Sequence, residues 1–157
     1  MSGTMSEYHN PVLLSESLDA LTGGTDGVYA DATFGGGGHS AEILRRLSPE
    51  GRLMAFDRDS DAIAGRMDDE RLILIHNNFR FVHNFALLEA GKAARDYREC
   101  GVDGILADLG VSSHQFDTAE RGFSFRYEDA PLDMRMNTQA EVSAATIVNG
   151  YEQAELE

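Results

Sequence analysis

The chain has 157 residues, enough for one domain with a sizeable core, and its 42% hydrophobic content sits slightly below the globular average. A formal net charge of −14 excludes indiscriminate binding to nucleic acid or an anionic membrane, because the long-range field repels polyanions, although a local basic patch stays possible. A lone cysteine, Cys100, excludes an intrachain disulfide and a paired-cysteine zinc site, and the five histidines show no ligand spacing, so no metal is expected.

No basic segment followed by an apolar run opens the sequence, and no apolar run approaches the length of a membrane span. A cytoplasmic protein with no membrane partner is the expectation. Residues 1–10 read as a leader. Asn10-Pro11 then reads as N-cap and first helical residue, with Leu14, Leu18 and Leu21 at helical spacing over 11–22 and Gly23-Gly24 as the stop. Val28–Phe34 reads as a buried strand that runs straight into four glycines, 35–38. Ser40–Leu47 is predicted as a helix, Leu53–Phe56 as a strand ending at Asp57, and Asp61–Met67 as a short helix. Leu72–Ile75 is a third strand, and Phe79–Ala90 a helix with Phe81, Phe85 and Leu88 near one face. Val102–Leu106 is a fourth strand, ending at Asp108.

Strands alternating with helices imply a parallel sheet with helices on both faces. Right-handed crossovers put all strand C-termini on one edge, where ligands bind in open sheets. Residues 109–137 show no period and read as a long functional loop. Thr138-Gln-Ala-Glu141 matches a capping box, predicting a helix to about Asn149 with Gly150 as its stop. Nothing after residue 108 reads as a strand to pair beside the fourth, so its open edge is a candidate for joining a second copy of the chain.

Three acids mark the strand ends: Asp31, Asp57 and Asp108. Asp57 follows the glycine loop by about twenty residues, the place where a nucleotide ribose is expected. Capping of the next helix is the simpler role for Asp57 or Asp59. Gly36-x-Gly38-x-x-Ala41 formally matches the dinucleotide fingerprint, which keeps a nicotinamide-binding oxidoreductase as an alternative. Asp31 and Thr33 just upstream favour a ligand with a positive group over a pyrophosphate. S-adenosylmethionine, with an ammonium, a sulfonium and a ribose, fits that pattern. Asp108-Leu-Gly-Val-Ser-Ser offers a carboxylate that can accept from an exocyclic amine, or an ordinary turn with a serine cap. In "RGFSFRY", Arg121 and Arg126 interleave with Phe123, Phe125 and Tyr127, which suits phosphate contact and base stacking, or a loop docked on a core.

The stretches "HNPVLLSE", "DATFGGGGHS", "FDRD", "GILADLGVSSHQFD", "RGFSFR" and "PLDMRM" together resemble the bacterial 16S ribosomal RNA cytosine-N4 methyltransferases, from about His9 onward. The resemblance implies part of a class I (Rossmann-like) methyltransferase fold: about four parallel strands with flanking helices over 11–137, then the start of a helical insertion over 138–157. It implies S-adenosylmethionine as cofactor and, as partner, the small ribosomal subunit with one cytidine of its 16S RNA. Carried over by motif, the cofactor contacts are Gly37, Gly38, His39, Asp57, Phe79, Asp108 and Gln115, with Asp108 the catalytic candidate. Members of that family are about twice as long, so cofactor binding without turnover is a second expectation for this chain.

Overall fold

A computed structural model describes residues 11–21, 23–65, 67–89 and 101–156. The expected leader, the Asn10 cap and the end of the helix at Ala90 lie outside them. The chain divides into two compact units, 1–109 and 110–157.

The first unit is built on four parallel strands: β1 (Val28–Asp31), β2 (Arg52–Asp57), β3 (Leu72–His76) and β4 (Gly104–Leu106), in the order β3-β2-β1-β4. Helices α1 (Leu14–Leu21), α2 (Gly38–Arg46), α3 (Ser60–Ala64) and α4 (Val82–Glu89) fill the connections, α4 being preceded by a 3₁₀ turn at Phe79–Phe81. Alternation along each strand sorts the side chains to two faces. Tyr29 and Leu53 meet Leu18 of α1 and Ile43 and Leu44 of α2 on one face. Val28, Met54, Phe56 and Ile75 meet Val82, Phe85 and Ala86 of α4 on the other. The core-facing stripe of α4 is therefore the half-buried Val82-Phe85-Ala86, while Phe81 and Leu88 are exposed, because the initial 3₁₀ turn resets the helical phase.

β1 ends at Asp31, three residues short of the expected Phe34, because the chain leaves the ladder to build the glycine turn. The backbone still holds to both neighbours there: Ala32 N–H donates to Leu106 O and Phe34 N–H to Phe56 O, both at 2.8 Å. At the opposite edge the Asp103 carboxylate accepts from Val28 N–H at 2.7 Å and fixes the start of β1.

The second unit is held by two short segments that grip each other. Gly122 stands at φ 69° with its α-carbon against Pro131 O, where a Cβ would collide, and Met134 N–H donates to Arg121 O at 3.0 Å. The stretch expected to lack regular structure contains α5 (Ser113–Asp117) and a 3₁₀ turn at Ala119–Arg121. Further on, α6 spans Ala144–Gly150 and α7 Gln153–Leu156. The capping box lies at Ser143 and Thr146, not at Thr138 and Glu141. Asn137 takes the N–H groups of Gln139 (2.9 Å, through its side chain) and Ala140 (3.0 Å, through its carbonyl) in a local turn that does not continue as helix. No helix among the described residues is long and apolar enough to cross a membrane.

Candidate functional site

Strand order fixes where a ligand can sit. From β1 the chain steps outward through β2 to β3, then crosses back to place β4 on the other side of β1. In open parallel sheets such a reversal of strand order is where a ligand crevice forms, outside the strand C-termini. Register makes the edge level: Asp31 pairs with Ala55 of β2 and Leu106 of β4. Thr33, Asp57 and Asp108 each stand two positions beyond that rung.

The glycine turn is wired to its surroundings from several sides. Asp57 accepts from Gly35 N–H through Oδ2 and from Asp59 N–H through Oδ1, both at 2.8 Å. Gly37 caps α2 with φ 78°, a left-handed conformation that penalises any Cβ. At Gly38 an added Cβ would strike the Pro11 ring, so Pro11 lies directly on the turn. The first intrahelical bond of α2 runs from Ala41 N–H to Gly37 O, leaving the amides before it directed out of the helix start.

Asp31 corrects one expectation. It is 0% exposed, and its carboxylate accepts from Thr33 N–H at 3.0 Å and from the Ser40 hydroxyl at 2.6 Å. It braces the turn from beneath and presents no surface to a ligand's cation, because the glycine turn folds over it. Thr33, paired with it in that reading, has its hydroxyl engaged by the chain as well: Oγ1 accepts from Asp108 N–H at 2.8 Å.

Burial pushes the Asp31 carboxyl above its ordinary range, and the nearby Asp57 charge adds to this, against the opposing hydrogen bonds of Ser40 and Thr33 and the charge of His39. The unfolded chain releases this proton near 3.8, and the folded chain holds it to higher pH. Asp31 therefore imposes no pH-dependent cost below 3.8; stability falls as pH rises from there through the folded value, then levels off. Asp31→Asn keeps an acceptor for Thr33 N–H and can donate to Ser40, and it removes that decline. Urea unfolding at a series of pH values is expected to show the variant gaining on the parent chain across this window; parallel curves would rule the effect out.

The remaining candidates separate by unit. Gly37, Gly38, His39, Asp57, Phe79 and Asp108 all belong to the first unit, around the strand C-termini. His39 is buried as the second residue of α2, Asp57 is half-buried, and Asp108 is exposed with no side-chain hydrogen bond among the described residues. Phe79 opens the turn after β3 and is 39% exposed. Gln115 belongs to the second unit and is buried within α5. Its Oε1 accepts from Ser112 N–H at 3.1 Å, its own N–H reaches Ser112 Oγ at 3.2 Å, and its Nε2 lies 3.2 Å from Met136 Sδ. The Ser112-x-x-Gln115 spacing is a capping-box signature and is the sequence signal from which α5 could have been found.

The arginines of "RGFSFRY" have internal roles. Arg121 is buried, donates through Nη2 to the carbonyls of Arg135 (3.0 Å) and Met136 (3.2 Å), and lies 5.9 Å from the Phe123 ring centroid. Arg126 pairs with Asp117 at 2.8 Å. Of the aromatics, Phe125 is 98% exposed, so the loop is anchored through the buried Arg121 and leaves Phe125 outside.

An open parallel sheet with helices on both faces, a glycine turn after its first strand and acids at its strand ends is the architecture of a Rossmann-like methyltransferase fold. Comparison with known proteins takes this further. The chain belongs to the MraW methylase family, whose profile matches residues 6–157. It is 56% identical over 153 residues to the ribosomal RNA small subunit methyltransferase H of Flavobacterium johnsoniae, covering 98% of this chain and 48% of that protein. Proteins of the same name from Christiangramia forsetii and Bacteroides fragilis are each 53% identical, over 152 and 150 residues, covering 97% and 95% of this chain and 47% and 46% of theirs. The chain spans about half the length of the curated relatives it matches. Membership in a methylase family sets the nicotinamide alternative aside.

Proposed function

We propose that this chain is the cofactor-binding portion of an S-adenosylmethionine-dependent methyltransferase acting on the N4 amine of a cytidine in 16S ribosomal RNA, in the cytoplasm. The observation that carries the reading is the glycine turn at the switch point, flanked by Asp57 on one side and Asp108 on the other. The relatives' names supply the ribosomal RNA substrate class.

The residues present fit the cofactor. Asp57 accepts two backbone N–H groups, and a carboxylate offers about four acceptor positions, so two stay available for the vicinal hydroxyls of a ribose. The exposed Phe79 ring offers an apolar face for adenine. Gly38 and His39 bring backbone N–H groups at the start of α2 to a carboxylate, which the helix dipole also favours, while Gly37, its own N–H held by Phe34 O at 2.7 Å, supplies the bare left-handed turn that lets the ligand approach. Gln115 is assigned on family resemblance. When bound, S-adenosylmethionine would supply a methyl group on a sulfonium for in-line transfer to an amine nitrogen: the N–CH3 bond forms as the S–CH3 bond breaks, leaving the neutral thioether S-adenosylhomocysteine and releasing one amine proton to solvent. Asp108 contacts the cofactor, accepts a hydrogen bond from that amine and orients its lone pair; alignment supplies much of the acceleration. The cytidine must be unpaired or turned out of its helix to reach this edge.

A second reading, cofactor binding without transfer by this chain alone, is carried by its spanning about half the relatives' length. Calorimetric titration with S-adenosylmethionine tests both, and a labelled-methyl assay on unmethylated small subunits separates them. Saturable binding with methyl incorporation supports the first reading, and binding without incorporation the second; no binding rejects both. β4 pairs only with β1 among the described residues, and we further propose that this outer strand joins two copies of the chain. Sedimentation at rising concentration is expected to show a dimer, and a monomer throughout would reject it.

A further inference from the structure

We propose that Thr33 is a positioning residue for Asp108, a crossbar that sets the spacing between the two loops flanking the ligand crevice. This rests on the reading of Asp108 as a cofactor contact. Thr33 and Asp108 stand level on neighbouring parallel strands, each two positions past the Asp31–Leu106 pair. The regular ladder ends one step earlier, with Ala32 N–H donating to Leu106 O. Beyond it, the threonine hydroxyl takes the place of a backbone carbonyl: Oγ1 accepts from Asp108 N–H at 2.8 Å. That bond bridges the strands where sheet pairing has stopped and where the crevice opens.

The consequence concerns the Asp108 carboxylate. It is exposed, and among the described residues no hydrogen bond to its own side chain orients it. Its direction is then set through the backbone, which the Thr33 bond holds at Asp108 N–H, and the next glycine, Gly110, stands at φ 155°, a conformation that L side chains rarely adopt. Thr33 is itself held from behind, since its N–H donates to the buried Asp31 carboxylate at 3.0 Å and Asp31 is anchored to Ser40. The sequence of contacts Ser40–Asp31–Thr33–Asp108 thus carries the rigidity of the α2 start across to the β4 loop. A hydroxyl at residue 33 is required, because an apolar side chain of the same shape gives Asp108 N–H no acceptor.

The test uses Thr33→Val, which removes the acceptor, and Thr33→Ser, which keeps it. Calorimetry with S-adenosylmethionine is expected to show about tenfold weaker binding for the valine variant and affinity within about twofold for the serine variant. In an Asp108→Ala background the valine substitution is expected to add nothing, since its effect passes through the missing carboxylate. Amide exchange at residue 108 gives a ligand-free readout: about tenfold faster in Thr33→Val, unchanged in Thr33→Ser. Equal losses in both backgrounds would show that Thr33 acts independently of Asp108 and overturn the proposal. So would undiminished affinity or undiminished amide protection in the valine variant. If Asp108→Ala alone binds as tightly as the parent chain, the role given to Asp108 falls and the proposal falls with it.

Discussion

Phe56→Ala is expected to destabilise the first unit by about 3–5 kcal/mol, at the upper end of what a single substitution costs. Phe56 is fully buried at the end of β2, among Val28, Met54 and Ile75. Its ring meets Phe85 of α4 edge-on, with centroids 5.7 Å apart and planes at 75°. Truncation removes that contact and opens a cavity between the sheet and α4 that rigid strands cannot close. Domains are stable by roughly 5–15 kcal/mol, so the loss is a large share of the total. The Phe56 carbonyl accepts from Phe34 N–H, a backbone bond that survives substitution, so the glycine turn keeps this anchor. Urea unfolding should show a lower midpoint with an unchanged slope. A loss under about 1 kcal/mol would mean that α4 does not pack as described.

Strand positions and strand-end acids are legible in the sequence because both are local signals. Apolar runs such as Leu72–Ile75 are long enough to be strands and too short for helices, and acids that close them fall at one edge of any parallel sheet. The roles of those acids are not legible, because burial depends on strand order. Asp31 lies under the turn only because β1 is flanked by both β2 and β4, which turns a candidate counter-charge into an internal brace. Arg121 leaves two readings open for the same reason: its position in "RGF" says nothing of the carbonyls of Arg135 and Met136 that the fold brings to it, and these give it the internal one. At 138–146 two cap signatures compete within a few residues. Asn137 wins the first for a turn, and Ser143 begins the helix. The Thr33–Asp108 bond links residues 75 apart, beyond the reach of any local pattern.

Asp57→Ala is expected to weaken S-adenosylmethionine binding by about 1.5–3 kcal/mol, roughly ten- to hundredfold. The ribose role proposed for Asp57 predicts this, since two hydroxyls lose a charged acceptor inside a half-buried site. The same carboxylate also holds Gly35 N–H and Asp59 N–H, so alanine releases the glycine turn as well. The two effects separate by changing the ligand. Adenosine and an analogue lacking both ribose hydroxyls should bind the parent chain with clearly different affinities. They should bind Asp57→Ala with nearly equal ones, because the pairwise term vanishes once either partner is removed. An equal loss for both ligands on substitution would assign Asp57 to the turn alone and reject the ribose contact. Asp57→Asn is the sharper variant. Its amide oxygen can serve one of the two turn N–H groups, while its NH₂ opposes the other, so amide exchange at residue 35 or 59 should quicken at one position and not both.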